Sequence, residues 1–234
     1  MCAAIEIQHP GWTTKVLSVA EAVNLVRSIM RSRPAGYPFV VGVAGPGDPL
    51  VNGQTFEALG LIHKEYPHLL KCVSTNGLLL EDKLADVVNV GIRALTVTIN
   101  APDSQIGKNI YSWVSYDGTV YHGEDAASLL LAKQFRGIRK AADAGLAIKI
   151  NTVLIPGVND GQMPKLAMRI KEAGAKIMNI MPLIPSGKMK NWTSPSCDEL
   201  REVRQECRKI IPQFHRCEQC RADVVYLPRM GWIA

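Results

Sequence analysis

Near the start of the chain, apolar residues recur at helical spacing and then run without interruption. That change of period marks a helix followed by a strand. Ala22, Val23, Val26, Ile29 and Met30 fall on one helical face. Ser18 and Glu21 precede them in the Ser-x-x-Glu pattern of a capping box, in which each side chain satisfies a backbone N–H of the first turn. Pro34 and Pro38 end the helix, because proline lacks the amide hydrogen and clashes with the preceding turn. The run "FVVGVAG" is apolar throughout, the pattern of a strand covered on both faces.

A unit then repeats in which a helix closes on glycine and a strand follows. "LADVVNVG" leads into "IRALTVTIN", "LLLAKQFRGIRKAADAG" into "LAIKINTVLIPG", and "KLAMRIKEAG" into "AKIMNIMPLIPS". Gly91, Gly145 and Gly174 stand where a left-handed residue ends a helix. The strands fall near 39–44, 71–74, 94–99, 147–153 and 176–181. Alternating helices and strands with short connections predict a parallel sheet with crossover helices. Residues 111–123, rich in Tyr and Trp, form an insertion over the rim of that sheet. A last helix opens on a second capping box, Ser196 to Glu199, and buries Leu200, Val203, Cys207 and Ile210 before Pro212. No linker divides the chain, so 1–211 are expected to form one α/β body and 212–234 an irregular tail packed on it.

Composition narrows the class. With 234 residues, 47% hydrophobic and 21% charged, the chain suits one large globular domain. The longest apolar runs are strand-length, so no membrane partner is expected. No charged-then-apolar leader opens the chain, and a cytoplasmic location follows as the expectation. Six cysteines are too sparse for a disulfide scaffold and, in a reducing compartment, close pairs more often hold metal. The net charge of +6 comes from scattered basic residues without interleaved aromatics, so no nucleic-acid partner is expected.

The loops after the strands carry the candidate chemistry. "GPGDPL" follows an early strand but is wrong for phosphate. Prolines 46 and 49 remove donors, and Asp48 puts a negative charge where a phosphate would lie. Asp48 and bare carbonyls suit an ammonium, while Gly45 and Gly47 let a ligand approach the backbone. "STNG", "TIN", "IPGVND" and "MPLIPSG" end the other strands. In a (β/α) barrel such ends ring one mouth. Ordinary strand-ending turns are the plainer reading of each one taken alone.

Taken in order, "GVAGPGDPL", "KCVSTNGLLL", "LTVTINAPD", "INTVLIPGVND", "MPLIPSGKMK" and "CEQCRADVV" resemble the NifB family of radical-SAM proteins, from about His9 to about Leu227. The resemblance implies a partial (β/α)6 TIM-like barrel that binds S-adenosylmethionine, here missing its first strand. It implies an enzyme of nitrogenase cofactor biosynthesis that fuses two 4Fe-4S clusters with carbide insertion. S-adenosylmethionine would be both methyl source and precursor of the 5′-deoxyadenosyl radical. Gly45, Gly47 and Asp48 would hold the methionine moiety, with further contacts from Ser74, Asn76, Thr96, Thr98, Asn151 and Val153. Cys217 and Cys220 would ligate a substrate 4Fe-4S cluster. Implied partners are iron–sulfur cluster donors, nitrogenase cofactor scaffold or carrier proteins, and an electron donor.

The family's Cys-x3-Cys-x2-Cys run is absent, and Cys2 is the only cysteine before Cys72. Three thiolates in that run leave one iron of the reducing cluster open to the amino acid. A chain beginning downstream of it is expected to be a truncated copy, poorly soluble or unable to cleave S-adenosylmethionine alone. Two other readings remain open at this point. One is a non-catalytic cluster carrier gripping through Cys217 and Cys220. The other is a zinc-binding barrel enzyme, for which Cys207 and His215 could complete four ligands. Cys72 is read as a core thiol, and Cys197 and Cys207 as structural.

Overall fold

Ser18 caps the first helix as its sequence predicts. In the computed structural model its backbone N–H donates to Glu21 Oε2 at 2.8 Å and its Oγ accepts from Glu21 N–H at 3.3 Å. The residues described are 17–32, 39–43 and 47–214, with the backbone of 225–227 and 231–233. Helix α1 (Val19–Ser32) precedes β1 (Val40–Val43), α2 (Gly53–Glu65), β2 (Leu70–Thr75), α3 (Leu84–Asn89) and β3 (Ala94–Thr98). A short α4 (Ser104–Gly107) and a hairpin, β4 (Trp113–Tyr116) and β5 (Thr119–His122), lead into the long α5 (Gly123–Asp143). Then come β6 (Ala147–Leu154), α6 (Met163–Glu172), β7 (Ile177–Pro182), α7 (Cys197–Arg208), β8 (Val225–Leu227) and β9 (Gly231–Ile233). Gly91, Gly145 and Gly174 have φ of 73°, 81° and 102°, the left-handed stops expected of them.

The order of the sheet is β1-β2-β3-β6-β7, every pair parallel. After α7 the chain returns beside β7, where Gln213 bridges Met178 in parallel and Phe214 N–H donates to the Met178 carbonyl at 2.8 Å. The order never reverses. Right-handed crossovers in one continuing direction place all their helices on one face, so the sheet curls as part of a barrel. A doubly wound sheet would reverse its order and carry helices on both sides.

Alternation along the strands gives the sheet two different faces. Val41, Val73, Leu95, Val97, Ile148, Ile150 and Ile180 lie under the helices, in one core with Leu59, Ile62, Ile138 and Ile170. The opposite, concave face carries Cys72, Ser74, Thr96, Thr98, Lys149, Asn151 and Asn179. The register sets Ser74, Thr96 and Lys149 in one row and Thr98, Asn151 and Asn179 in the next. A parallel sheet normally buries both faces under apolar residues, and this one does not. The expectation for "FVVGVAG" is corrected accordingly. Val40 is 49% exposed because it points to the concave face, and only Val41 of β1 is buried. Among the described residues β1 is also the edge strand.

The insertion at 111–123 is the β4–β5 hairpin, closed by Asp117 and Gly118 at φ 50° and 73°. Both central residues at positive φ make a type I′ turn, the connection that matches the twist of its strands. Val114 anchors the hairpin against Ala126 and Leu130 of α5.

A charged knot ties the β2–α3 connection to α5. Glu81 accepts from Lys140 at 2.8 Å and Arg136 at 3.0 Å, and Lys133 bonds Asp82 at 2.7 Å. The Lys140 bond, opposed by burial and helped by Arg136, pulls the Glu81 carboxyl from an ordinary 4.5 down to about 2. A depressed carboxylate contributes stability that is complete above its ordinary value and disappears as pH falls toward the folded value. Thermal unfolding followed from pH 7 to pH 2 should therefore show Tm falling between about 4.5 and 2. In Glu81→Gln that portion of the fall should be absent, and an unchanged profile would contradict the assignment.

Candidate ligand site at the strand ends

The concave face opens at the C-terminal ends of the strands, where polar side chains fasten the loops. Asp48, after β1, reaches the end of β2. Its carboxylate accepts from Thr75 Oγ1 at 2.8 Å, Asn76 N–H at 2.6 Å and Leu50 N–H at 3.0 Å. The corner that the sequence marks for a cation is thus clamped to the next strand by its own aspartate. Gly47 is exposed at φ +85°, and a Cβ built there would meet nothing within 4 Å, so open space lies against its backbone. Gly45 lies outside the described residues.

Asn76 turns into its own loop, where Oδ1 accepts from Leu78 N–H at 2.8 Å. Gly77 is irreplaceable on steric grounds. It sits at φ +80°, and an added Cβ would stand 2.8 Å from Val97 Cγ1 and 3.1 Å from Gln134 Cγ. Gln134 of α5, only 1% exposed, donates from Nε2 to the carbonyls of Asn76 at 2.6 Å and Thr98 at 3.0 Å. One helix residue thereby holds two strand ends together.

A second knot joins β3 to β6. Asn159, 1% exposed, donates to the carbonyls of Asn100 and Val153, each at 2.8 Å, and accepts from Ile155 N–H at 2.8 Å. Asn100 Oδ1 accepts from Val153 N–H at 2.9 Å, and Thr152 Oγ1 donates to the Ile99 carbonyl at 2.7 Å. The loop "IPGVND" is therefore tied down from inside. Among the sequence candidates, Ser74, Thr96, Thr98, Asn151 and Val153 share the concave face, while Asp48 and Asn76 fasten its rim.

Sequence reasoning passed over Lys149, Asn179, Gln134 and Asn159. Lys149, Asn179 and Gln134 are polar residues inside the apolar stretches "AIKIN", "IMNIM" and "LLLAKQF", and that interruption was the available signal, while Asn159 stands in the strand-ending loop "IPGVND". Asn179 is fully buried. Its Nδ2 donates to Asn151 Oδ1 at 3.1 Å, and its own Oδ1 has no partner among the described residues.

The described cysteines occupy three different environments. Cys72 is half-buried on the concave face, its Sγ 4.0 Å from Thr96 Oγ1, not in the core as its neighbours suggest. Burial pushes its thiol up, against the Thr96 bond and the Lys149 charge. Cys207 is 0% exposed in the core beneath α7, and burial pushes its thiol up to about 12. Among the described residues no metal-ligating group gathers around it. Cys197 is exposed. Alkylation of the native chain with iodoacetamide, read by mass spectrometry, should label Cys197 first, Cys72 slowly and Cys207 only after unfolding. Early labelling of Cys207 would contradict its placement. Cys2, Cys217 and Cys220 lie outside the described residues, and so does His215. Among the described residues no three His, Cys, Asp or Glu gather to hold a metal ion, and no helix is long and apolar enough to cross a membrane.

Comparisons agree with this geometry. Residues 1–170 match the model of the Radical SAM superfamily. Over 94% of its length the chain is 45% identical to the FeMo cofactor biosynthesis protein NifB of Methanocaldococcus infernus, covering 72% of that relative. It is 40% identical over 93% of its length to the protein of the same name from Klebsiella pneumoniae, of which it spans 47%. Among solved structures, a radical SAM methyltransferase from Sphaerobacter thermophilus aligns with a TM-score of 0.60 at 21% identity, over 86% of this chain and 58% of that one. The chain belongs to the radical SAM superfamily and, within it, to the family of the FeMo cofactor biosynthesis protein NifB.

Proposed function

We propose that this chain serves in building the iron–sulfur core of the nitrogenase cofactor, in which two 4Fe-4S substrate clusters are fused around a carbon drawn from S-adenosylmethionine, and that without a Cys-x3-Cys-x2-Cys run it binds the amino acid and a substrate cluster but does not cleave S-adenosylmethionine by itself. The observation that carries the reading is the polar concave face of the parallel sheet, found in a chain 45% identical to a FeMo cofactor biosynthesis protein. That face suits the bound groups. It presents hydroxyls and amides to a polar ligand, contains a buried amide oxygen with no partner among the described residues, and opens beside Gly47.

Gly45 and Gly47 admit the methionine head against the backbone, and Asp48 keeps that corner closed on β2. Ser74, Thr96, Thr98 and Asn151 offer hydrogen bonds to the amino acid and the ribose. Val153 contributes its backbone, and Asn76 holds the rim in shape. Cys217 and Cys220 grip one substrate cluster. The chain's residues include no Cys-x3-Cys-x2-Cys run; three such thiolates would hold a reducing cluster, and with it S-adenosylmethionine would supply a methyl group and the 5′-deoxyadenosyl radical. Cluster donors, cofactor carriers and an electron donor are the partners such a reaction needs.

The test is anaerobic reconstitution with iron and sulfide, followed by calorimetric titration with S-adenosylmethionine. Cys217→Ala and Cys220→Ala should lose bound iron while retaining S-adenosylmethionine, and Thr98→Val should weaken the titration while retaining iron. Tetrahedral zinc on sulfur ligands, with no heat from S-adenosylmethionine, would overturn the reading.

A further inference from the structure

The aromatic insertion reaches the candidate site through one hydroxyl. Tyr111 Oη accepts from the Asn100 N–H at 3.1 Å. The chain leaves β3, turns through α4, and is fastened back to the strand exit it came from. Tyr111 is itself held at both ends. Its N–H donates to the Gly107 carbonyl at 2.9 Å, and its ring packs on the cluster of Val114, Ala126 and Leu130 that unites the hairpin with α5. Tyrosine has only two side-chain rotations to lose, so a ring fixed in that way offers its hydroxyl as a rigid point.

Asn100 passes that anchorage on to β6. Its Oδ1 accepts from the Val153 N–H at 2.9 Å, and its carbonyl accepts from Asn159 Nδ2 at 2.8 Å. The residues before it are gripped as well. Gln134 donates to the Thr98 carbonyl, the Ile99 N–H donates to the Asn151 carbonyl, and Thr152 Oγ1 donates to the Ile99 carbonyl. From the Thr98 carbonyl to the Asn100 carbonyl, every main-chain polar group has a partner. Among these partners Tyr111 alone belongs to the insertion. Side chains that bind a ligand must be held to within about 0.5 Å by the groups behind them. Thr98, Asn151 and Val153, on the concave face, are the side chains that this exit carries or adjoins.

We infer that Tyr111 is a positioning residue for the concave site: its hydroxyl fixes Asn100, and the Asn100 side chain fixes the Val153 end of β6. The identity of the ligand, S-adenosylmethionine, rests on the proposed function. The fixing of the strand ends rests on the hydrogen bonds alone, so the two can fail separately.

The experiment compares wild type, Tyr111→Phe and Tyr116→Phe. Tyr116 is the control: it stands on the same hairpin, and its hydroxyl donates to Asp82 at 3.1 Å, beside α3. Three measurements are made: thermal unfolding, hydrogen–deuterium exchange of the ligand-free chain, and calorimetry with S-adenosylmethionine after anaerobic reconstitution. Each variant keeps its ring and loses one hydroxyl, so both should lower Tm by about 2–4 °C. Only Tyr111→Phe should speed exchange at 98–101 and 151–155 and weaken S-adenosylmethionine by about fivefold. Equal exchange and equal affinity in the two variants would leave Tyr111 a merely structural role and overturn the inference. Faster exchange with unchanged affinity would overturn it too. Asn100→Ala keeps the N–H that Tyr111 holds but cuts the step to Val153. Adding Tyr111→Phe to it should therefore weaken binding no further, and a second fivefold loss would show that Tyr111 acts by another route. Should Tyr111→Phe fail to fold, Asn100→Ala carries the comparison: faster exchange at 151–155 with weaker binding upholds the inference, and wild-type values overturn it. A wild type that does not bind S-adenosylmethionine sinks the proposed function instead. Exchange then decides alone: faster at 151–155 in Tyr111→Phe but not in Tyr116→Phe upholds the positioning, and equal exchange removes it.

Discussion

Replacing Asn159 with alanine is expected to destabilise the chain by about 3–4 kcal/mol, lowering Tm by about 10 °C. The size follows from what the side chain does. It satisfies two carbonyls and one N–H, of Asn100, Val153 and Ile155, at a position only 1% exposed. Alanine leaves those groups without partners in a place water reaches poorly, and each such orphan costs about 1–3 kcal/mol. Asn159→Asp should recover only part of the loss, because it can accept from Ile155 but cannot donate to the carbonyls. Denaturant unfolding measures this directly. A loss below about 1 kcal/mol would mean that the β3–β6 knot is not holding the strand ends together.

Asp48→Ala is expected to cost about 2–3 kcal/mol and to abolish measurable binding of S-adenosylmethionine. The carboxylate gathers Thr75, Asn76 and Leu50, which lie on the two segments that frame the glycine corner. Without it the Thr75 hydroxyl and Asn76 N–H lose their acceptor, and the loop after β1 is no longer fixed to β2. Asp48→Asn separates shape from charge. Its amide oxygen can keep one or two of these bonds, so it should regain most of the stability. Calorimetry on both variants, alongside their unfolding curves, is the check. Full S-adenosylmethionine binding by Asp48→Ala would show that the clamp does not shape the site.

Much of this architecture was legible in the chain. The helices announced themselves through 3.6-residue periodicity and capping residues, and both capping boxes formed, at Ser18 and Ser196. The five strands appear within a residue or two of their expected positions. What periodicity could not decide was handedness and facing. Whether the sheet was doubly wound or a barrel turned on the order of its strands, and those pairings are long-range. The same limit explains β1. A continuous apolar run looks doubly buried, yet Val40 and Gly42 face the open side. The Asp117–Gly118 dipeptide did carry a hairpin signal, hidden inside a segment notable mainly for its aromatics.

The candidate site divides along similar lines. Ser74, Thr96, Thr98 and Asn151 could be suspected from their places at strand ends, and alternation puts them on one face. The fasteners could not be foreseen. Asn159 meets Asn100 across 59 positions, and Gln134 meets Asn76 across 58. Nothing local in either stretch requires those meetings. Lys149 and Asn179 were visible as polar breaks in apolar strands, and only the register, which pairs Lys149 with Ile177 and Asn151 with Asn179, puts them on one face.

Hydrogen–deuterium exchange of the native chain, with and without saturating S-adenosylmethionine, tests most directly whether the concave face is the ligand site. The expected result is slowed exchange at the ends of β1, β2, β3, β6 and β7 and the loops that follow them, with the outer helices unchanged. Protection confined to the helix-covered side, or exchange identical with and without the ligand, would contradict it.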